Sequence, residues 1–222
     1  MTKILIPYET SIGERRVSAT PESVKKLKKL GCEIYIEKSA GELSGFNDFS
    51  YQENGGIIFG DSEIEPWQNA DIVFCIHSPD NEKLKKLKEG CLVIGLLNPF
   101  GNKDLANLLS DRKLSAISLE LLPRISRAQS SDVLSSQANI AGYKSVLLAA
   151  SELDRYFPML MTAAGTVQPA KVVVLGGGVA GLQAVATAKR LGALVFVSDI
   201  RPAVKEQVES LGAKFINLPE ID

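Results

Sequence analysis

The chain has 222 residues, of which 45% are hydrophobic and 23% are charged, and its formal net charge at pH 7 is −1. This composition is typical of a globular protein with one large domain or two small ones, and the near-zero charge argues against nucleic acid as a partner. No apolar run is long enough to span a membrane, and the three cysteines lack CxxC spacing, which indicates reduced thiols in the cytosol and no metal site.

The first 120 residues alternate between short apolar runs and segments with helical periodicity. One helix is predicted from Thr20, a good N-cap residue, through Pro21 at the first helical position to a stop at Gly31. Two similar helices are predicted over 81–88 and 103–110. Because apolar strands joined by such helices pair in parallel, we expect a parallel sheet covered on both faces. The predicted strands span residues 4–8, 33–37, 71–76, 92–97 and 114–119.

A long helix is predicted over 130–157, and a connector rich in Ala, Gly and Thr follows over 162–169. A second strand–helix unit then begins, so we predict an α/β fold with two tandem Rossmann-like parallel-sheet units joined by a long helix. The predicted elements of this second unit are strand 172–175, helix 179–191, strand 194–199, helix 203–211 and strand 214–218. The predicted domains are an N-terminal α/β domain over 1–132, a linking helix over 133–160 and the start of a nucleotide-binding domain over 161–222.

A glycine-rich turn, GGGVAG, joins the first strand of the second unit to its first helix. In this GxGxxG pattern Gly176 permits a tight turn, Gly178 lets a pyrophosphate approach the backbone, and Gly181 allows close packing of helix and strand. The helix beginning near Val179 presents unpaired N–H groups and the positive end of its dipole to the phosphates. The alternative is a turn that only connects the strand to the helix. We disfavour it because the strand, glycines, helix, second strand and acid follow one another in the order that a dinucleotide-binding motif requires.

The acid is Asp199, which ends the second strand of this unit about 20 residues after the turn. At that position a carboxylate bonds the adenosine ribose hydroxyls of a dinucleotide. It also repels a 2′-phosphate, so we expect the cofactor to be NAD(H) rather than NADP(H). Arg201 complicates this expectation because an arginine there can hold the phosphate, but we give it a secondary cofactor-binding role while Asp199 occupies the strand tip.

The segment PRISRAQSSD, residues 123–132, places two arginines, a glutamine, an aspartate and several hydroxyls between a predicted strand and the long helix. Loops at the carboxyl ends of strands are where ligands bind in open α/β sheets. The residues alone leave open whether this loop binds a ligand or only caps the helix through Ser131 or Asp132.

This loop resembles a segment of the NAD(H)-binding domain in the alpha subunit of the proton-translocating NAD(P) transhydrogenases. The same resemblance extends to LSSQANIAGY, MTAAGTVQPAKVVVLGGGVAGLQA and RPAVKEQVESLGAKF. The segments ERRVSATPESVKKLKKLG and SAGELSGFNDFSY also resemble that family, which shares its fold with alanine dehydrogenase. The resemblance covers essentially the whole chain. It implies an oxidoreductase that passes a hydride between NAD(H) here and NADP(H) on a partner domain, coupled to proton translocation by a membrane domain.

The resemblance also implies roles for four residues. Arg124, Gln129 and Asp132 contact the nicotinamide end of the nucleotide and carry the catalytic role of orienting its ring, and Ser135 lies nearby on the long helix. Arg124 and Gln129 donate hydrogen bonds to the carboxamide or pyrophosphate, and Asp132 holds one of them in place. A homodimer with partner subunits, located in the cytoplasm at the inner face of the membrane, is implied as well.

Alanine dehydrogenase is one alternative, and a nucleotide-binding or structural remnant without turnover is another. Alanine dehydrogenases hold pyruvate with an arginine, a lysine and a histidine. Arg16 could supply the arginine, but no lysine occurs in DIVFCIHSP, and Asn98-Pro99 stands where the histidine is expected. His77, the only histidine, is assigned a structural role at a strand end. The resemblance therefore favours transhydrogenation.

A Rossmann sheet has about six strands, but only three are predicted in the second unit. The transhydrogenase domain continues well past the position of Asp222 with a mobile loop that closes over NAD(H). We therefore expect this chain to be the N-terminal part of that domain, either a fragment or a short subunit, and to be inactive in isolation.

Overall fold

A computed structural model describes residues 1–60 and 62–217 of the chain. These residues form two compact units, which divide between Ser131 and Asp132. Each unit is described by itself below.

The first unit is built around a six-stranded parallel sheet with the strand order β3-β2-β1-β4-β5-β6. The order reverses between β1 and β4, and such a reversal opens a crevice at the carboxyl ends of the two strands. The strands are β1 (Lys3–Ile6), β2 (Glu33–Glu37), β3 (Ile57–Phe59), β4 (Ile72–His77), β5 (Leu92–Leu96) and β6 (Ser115–Ser118).

Helices cover both faces of this sheet, as its apolar strands require. Side chains alternate along β1, so Leu5 packs with Trp67 and Val93 in one buried cluster, while Ile4 and Ile6 belong to a cluster on the opposite face. Thr20 caps the first helix, as predicted, by accepting a hydrogen bond from the Ser23 amide at 3.3 Å. The helices are α1 (Pro21–Lys29), α2 (Asp48–Glu53), α3 (Glu65–Asn69), α4 (Asn81–Lys86) and α5 (Lys103–Asp111).

The second unit begins with the long helix α6 and contains a smaller parallel sheet with the strand order β11-β10-β9. Its core is made of small apolar side chains, including Val185 and Ala188 on a helix and Val195 and Val197 on a strand. The elements are α6 (Val133–Glu152), β7 (Leu160–Thr162), β8 (Gly165–Val167), β9 (Lys171–Leu175), α7 (Val179–Arg190), β10 (Leu194–Ser198), α8 (Val204–Ser210) and β11 (Lys214–Phe215).

The α/β prediction with parallel sheets is confirmed, with differences in detail. The helix predicted over 130–157 is shorter, because residues 126–131 form a 3-10 turn and the helix ends at Glu152. The connector over 162–169 contains part of an antiparallel hairpin, β7–β8. Residue 218, the predicted end of the last strand, lies outside the described residues. Over the described range no helix is both long and apolar enough to cross a membrane.

Candidate functional site

The glycine turn follows β9 directly and leads into the first turn of α7. Gly176 has φ +94°, a left-handed conformation that favours glycine, and its amide donates to the Ser198 carbonyl at 2.8 Å. Gly178 is the N-cap residue of α7, and among the described residues no side chain caps this helix. The first amides of α7 therefore remain available to an external acceptor such as a phosphate oxygen.

The two later glycines of the motif have different surroundings. A Cβ at position 181 would stand 1.8 Å from the carbonyl oxygen of Gly176, so only glycine lets the helix pack this close to the turn. A Cβ at position 178 would find no described atom closer than the Arg201 Nη2, at 4.0 Å. The backbone at Gly178 is thus open to a ligand, which fits the approach of a pyrophosphate.

Asp199 follows β10 and turns its carboxylate toward the glycine turn. Its Oδ2 accepts from the Gly177 amide at 2.7 Å, and the Arg201 side chain binds both oxygens, with Nε 3.0 Å from Oδ1 and Nη2 2.9 Å from Oδ2. The pairing with Arg201 holds the pKa of Asp199 below its usual range. The acid is therefore ionised and fixed one strand away from the helix start.

Asp132 and Ser135 lie at the beginning of α6. The Asp132 carboxylate accepts from the Ser135 amide at 2.9 Å and from the Ser135 hydroxyl at 2.6 Å, which is the geometry of a helix N-cap. Asp132 therefore caps α6, which is one of the two roles that the sequence left open for this loop. Capping also gives the carboxylate a defined position.

Arg124 and Gln129 belong to the first unit, and both are exposed. Arg124 precedes the 3-10 turn Ser126–Ser131, and Gln129 lies within it. The structure thus places the predicted site residues in three groups: Gly176, Gly178, Val179, Gly181, Asp199 and Arg201 around the turn, Asp132 and Ser135 at the start of α6, and Arg124 and Gln129 in the first unit.

Two further glycines shape the site: Gly142, which the sequence analysis missed, and Gly177, which it included in the GGGVAG turn without giving it a role. A Cβ on Gly142 of α6 would be 2.0 Å from the Ala180 carbonyl oxygen, and one on Gly177 would be 2.2 Å from Cγ1 of Val204. Asn139 of α6 also donates to Gln183 of α7 at 3.1 Å. Close packing of α6 on the first turns of α7 therefore holds the helix start in place. For Gly142 the only local signal was the small-residue pair Ala141-Gly142 inside a long helix.

A second group of polar residues lies in the first unit, at the carboxyl ends of β1 and β4. Arg16 pairs with both oxygens of Glu14, with Nε 2.8 Å from Oε1 and Nη2 2.7 Å from Oε2, and His77 Nε2 is 2.9 Å from Oε2. Hydrogen bonding from Arg16 lowers the pKa of Glu14 to about 2, whereas burial raises the pKa of Glu9. Arg16, the arginine that could bind pyruvate in an alanine dehydrogenase, thus forms an ion pair with Glu14.

An open cavity of about 540 Å³ adjoins this group, lined by the loop after β1 and by Leu43. No set of three or more His, Cys, Asp or Glu side chains arranged to hold a metal is found over residues 1–60 and 62–217. Cys75 and Cys91 are buried, and burial raises the pKa of the Cys91 thiol to about 11, so this thiol is not an activated nucleophile.

Two family models match the chain. Residues 5–141 match the alanine dehydrogenase/PNT N-terminal domain, and residues 145–221 match the alanine dehydrogenase/PNT C-terminal domain.

Similar proteins include both transhydrogenases and alanine dehydrogenases. The chain is 47% identical over 223 residues to an NAD(P) transhydrogenase alpha-subunit chain of Rhodospirillum rubrum, covering 98% of this chain and 58% of the relative. Alanine dehydrogenase of Staphylococcus saprophyticus is 31% identical over 209 residues, with 93% and 55% covered. The transhydrogenase structure from Sinorhizobium meliloti superposes with a TM-score of 0.92 at 46% identity, over 97% of this chain and 64% of that one.

An L-alanine dehydrogenase structure superposes with a TM-score of 0.82 at 29% identity, over 96% of this chain and 60% of that one. The chain thus spans less than two thirds of the length of these relatives. The predicted family is confirmed. The two family models together match nearly the whole length of the chain, and the chain therefore belongs to the alanine dehydrogenase/PNT family.

Proposed function

We propose that this chain is the NAD(H)-binding component of an NAD(P) transhydrogenase. The observation that carries the proposal is the open first turn of α7, with the Asp199 carboxylate bonded to Gly177 beside it. In this assignment the amides near Gly178 and Val179 bind the pyrophosphate, and Asp199 binds the adenosine ribose. In the same proposal residues 1–132 belong to the N-terminal domain, residues 133–160 are the linking segment that contains α6, and the nucleotide-binding domain begins at residue 161.

The nicotinamide end is assigned to Arg124, Gln129, Asp132 and Ser135. The side chains of Arg124 and Gln129 are exposed, and within the described residues they make no hydrogen bond, so their donors are available to a carboxamide or a phosphate. Asp132 and Gly142 are ten residues apart in one helix, or about 15 Å along its axis. In this proposal Gly142, which lies next to the first turn of α7, marks the phosphate end of the site, and Asp132, at the start of α6, marks the nicotinamide end.

A nicotinamide ring supplies the hydride chemistry, so the residues of this chain need only orient the bound nucleotide and exclude water. We propose that the NADP(H) partner of the transfer is held by a separate domain, within a proton-translocating complex. Homodimer formation and attachment to the inner face of the membrane through partner subunits belong to the same proposal.

Alanine oxidation is the second candidate, because alanine dehydrogenases are among the similar proteins. The bidentate Glu14–Arg16 pair argues against it, since that guanidinium already faces a carboxylate of this chain. A direct comparison is an assay of NAD⁺ reduction by L-alanine.

Hydride exchange tests the proposal. The chain is mixed with the NADP(H)-binding component of a transhydrogenase, and transfer from NADH to an NADP⁺ analogue is followed by absorbance. Arg124→Ala and Gln129→Ala should lower the rate by about tenfold or more, as expected for about 1.4 kcal/mol of lost positioning energy, and should leave the melting temperature unchanged. Loss of melting temperature with unchanged NADH affinity would assign both residues to the fold instead. Failure of the wild-type chain to bind NADH would refute the proposal.

A further inference from the structure

All of the hydrogen-bonding capacity of the Asp199 carboxylate is already used. Its Oδ1 accepts from the Arg201 amide at 2.8 Å and from the Arg201 Nε at 3.0 Å. Its Oδ2 accepts from the Gly177 amide at 2.7 Å and from the Arg201 Nη2 at 2.9 Å. A carboxylate has about four lone-pair positions. A ribose diol therefore finds no vacant acceptor on this side chain.

The four bonds are of two kinds. Those from the Gly177 and Arg201 amides are made by the backbone and do not depend on the guanidinium at 201. The other two come from a guanidinium whose side chain is 59% exposed, whereas the Asp199 side chain is 4% exposed. The guanidinium is therefore the removable partner, and the acid keeps its position without it.

From this geometry we propose that Arg201 competes with the adenosine ribose for Asp199 and thereby sets both the affinity and the selectivity of the nucleotide site. The inference rests on the proposed function. Binding of NAD(H) exchanges the two guanidinium bonds for bonds from the ribose hydroxyls, so breaking the ion pair opposes binding. Arg201 acts here as a specificity-determining residue and not as a permanent ligand.

Selectivity follows from the charges. A lone carboxylate repels a 2′-phosphate, but a carboxylate paired with a guanidinium has little net charge, and the displaced guanidinium can itself pair with the phosphate. The Arg201 Nη2 also lies 4.0 Å from where a Cβ at Gly178 would stand, so it is already next to the phosphate end of the site. The native pair therefore discriminates less strongly against NADP(H) than Asp199 would alone.

The test is calorimetric titration of the full chain and of Arg201→Gln with ADP-ribose, NADH and NADPH. Lys205→Gln is the matched control, because Lys205 is also an exposed cation but pairs with Glu209 at 4.0 Å instead of Asp199. For Arg201→Gln the Kd for ADP-ribose and NADH should fall about fivefold, a modest effect because the guanidinium is largely solvated. The ratio of the NADPH to the NADH Kd should rise by more than that factor, and Lys205→Gln should leave the ratio unchanged.

Arg201→Lys provides a second variant, since its single ammonium cannot form the two-point contact and should give an intermediate Kd. Weaker or unchanged NADH binding in Arg201→Gln, with wild-type binding intact, would overturn this inference and make Arg201 a nucleotide ligand or a bystander. If neither the wild-type chain nor either Arg201 variant binds ADP-ribose or NADH, the proposed function itself fails.

Discussion

Gly142 of α6 lies so close to α7 that a Cβ at position 142 would be 2.0 Å from the carbonyl oxygen of Ala180. Ala180 is the second residue of α7, within the turn that would bind the pyrophosphate. The long helix thus supports the candidate nucleotide site through a backbone contact. This contact makes the geometry of the site sensitive to a single methyl group on a neighbouring helix.

Gly142→Ala should therefore destabilise the protein even though alanine is the better helix former. The propensity gain is about 1 kcal/mol, but the methyl group meets backbone and forces the helices apart, at a cost of about 1–3 kcal/mol. We expect a net loss in urea unfolding and weaker NADH binding. Ala141→Ser, at the exposed neighbouring position, should change the free energy of unfolding by less than about 0.5 kcal/mol. Equal stability of Gly142→Ala and wild type would contradict the packing argument.

Asp132 allows the structural and the binding roles to be separated. Asp132→Ala removes the acceptor of two bonds from Ser135 and should cost about 1 kcal/mol in the free energy of unfolding, as other N-cap deletions do. Asp132→Asn keeps a capping oxygen and should unfold nearly as the wild type does. Both variants should slow hydride exchange if the carboxylate orients the nicotinamide end. Full exchange activity in Asp132→Asn would show that the charge of Asp132 does not orient the nicotinamide end.

Glu37 is a buried acid that holds the loop after β1. It accepts from the Tyr8 amide at 2.8 Å and from Lys83 Nζ at 2.6 Å, and its side chain is 1% exposed. Glu37→Ala leaves an amide and an ammonium unpaired and should cost about 3 kcal/mol in chemical denaturation. The matched control is Glu22→Ala, which breaks the fully solvated Glu22–Lys26 pair and should leave the denaturation midpoint almost unchanged. Similar losses of unfolding free energy in the two variants would show that the burial of Glu37 does not increase its contribution to stability.

The Glu14–Arg16 pair predicts how stability depends on acidity. The folded pKa of Glu14 is about 2, below its ordinary value of 4.5, so the unfolded chain binds the proton more readily. The stabilisation from Glu14 is complete above pH 4.5 and is lost as the pH falls toward 2. In Glu14→Gln the slope of unfolding free energy against pH between 4.5 and 2 should be shallower, as measured by urea titration at several pH values. An unchanged slope would mean that other carboxylates account for the acid sensitivity.

Local sequence patterns were sufficient for the main elements of both sheets and for the glycine turn, because caps, apolar runs and the GxGxxG spacing act over a few residues. The three-residue strand β3 was missed, since Ile57–Phe59 is too short to show a period. The hairpin at 160–167 was hidden among small and polar residues that are typical of connectors.

Contacts between distant residues could not be predicted in this way. His77 and Glu14 are 63 positions apart, and nothing near either residue indicates the partner. The role of Gly142 likewise depends on which helix packs beside it. The position of Asp199 directly after a strand was predicted, but its bidentate pairing with Arg201 depends on a rotamer that the sequence does not specify.

The different surroundings of Gly178 and Gly181 have a consequence for random mutagenesis of this chain. Alanine at 178 has room and an allowed backbone conformation, so a library screened only for folded protein should retain it, whereas alanine at 181 should be purged. A library screened for retention on immobilised nucleotide should lose both. The position that is tolerated by the first selection and rejected by the second marks where the nucleotide touches the backbone.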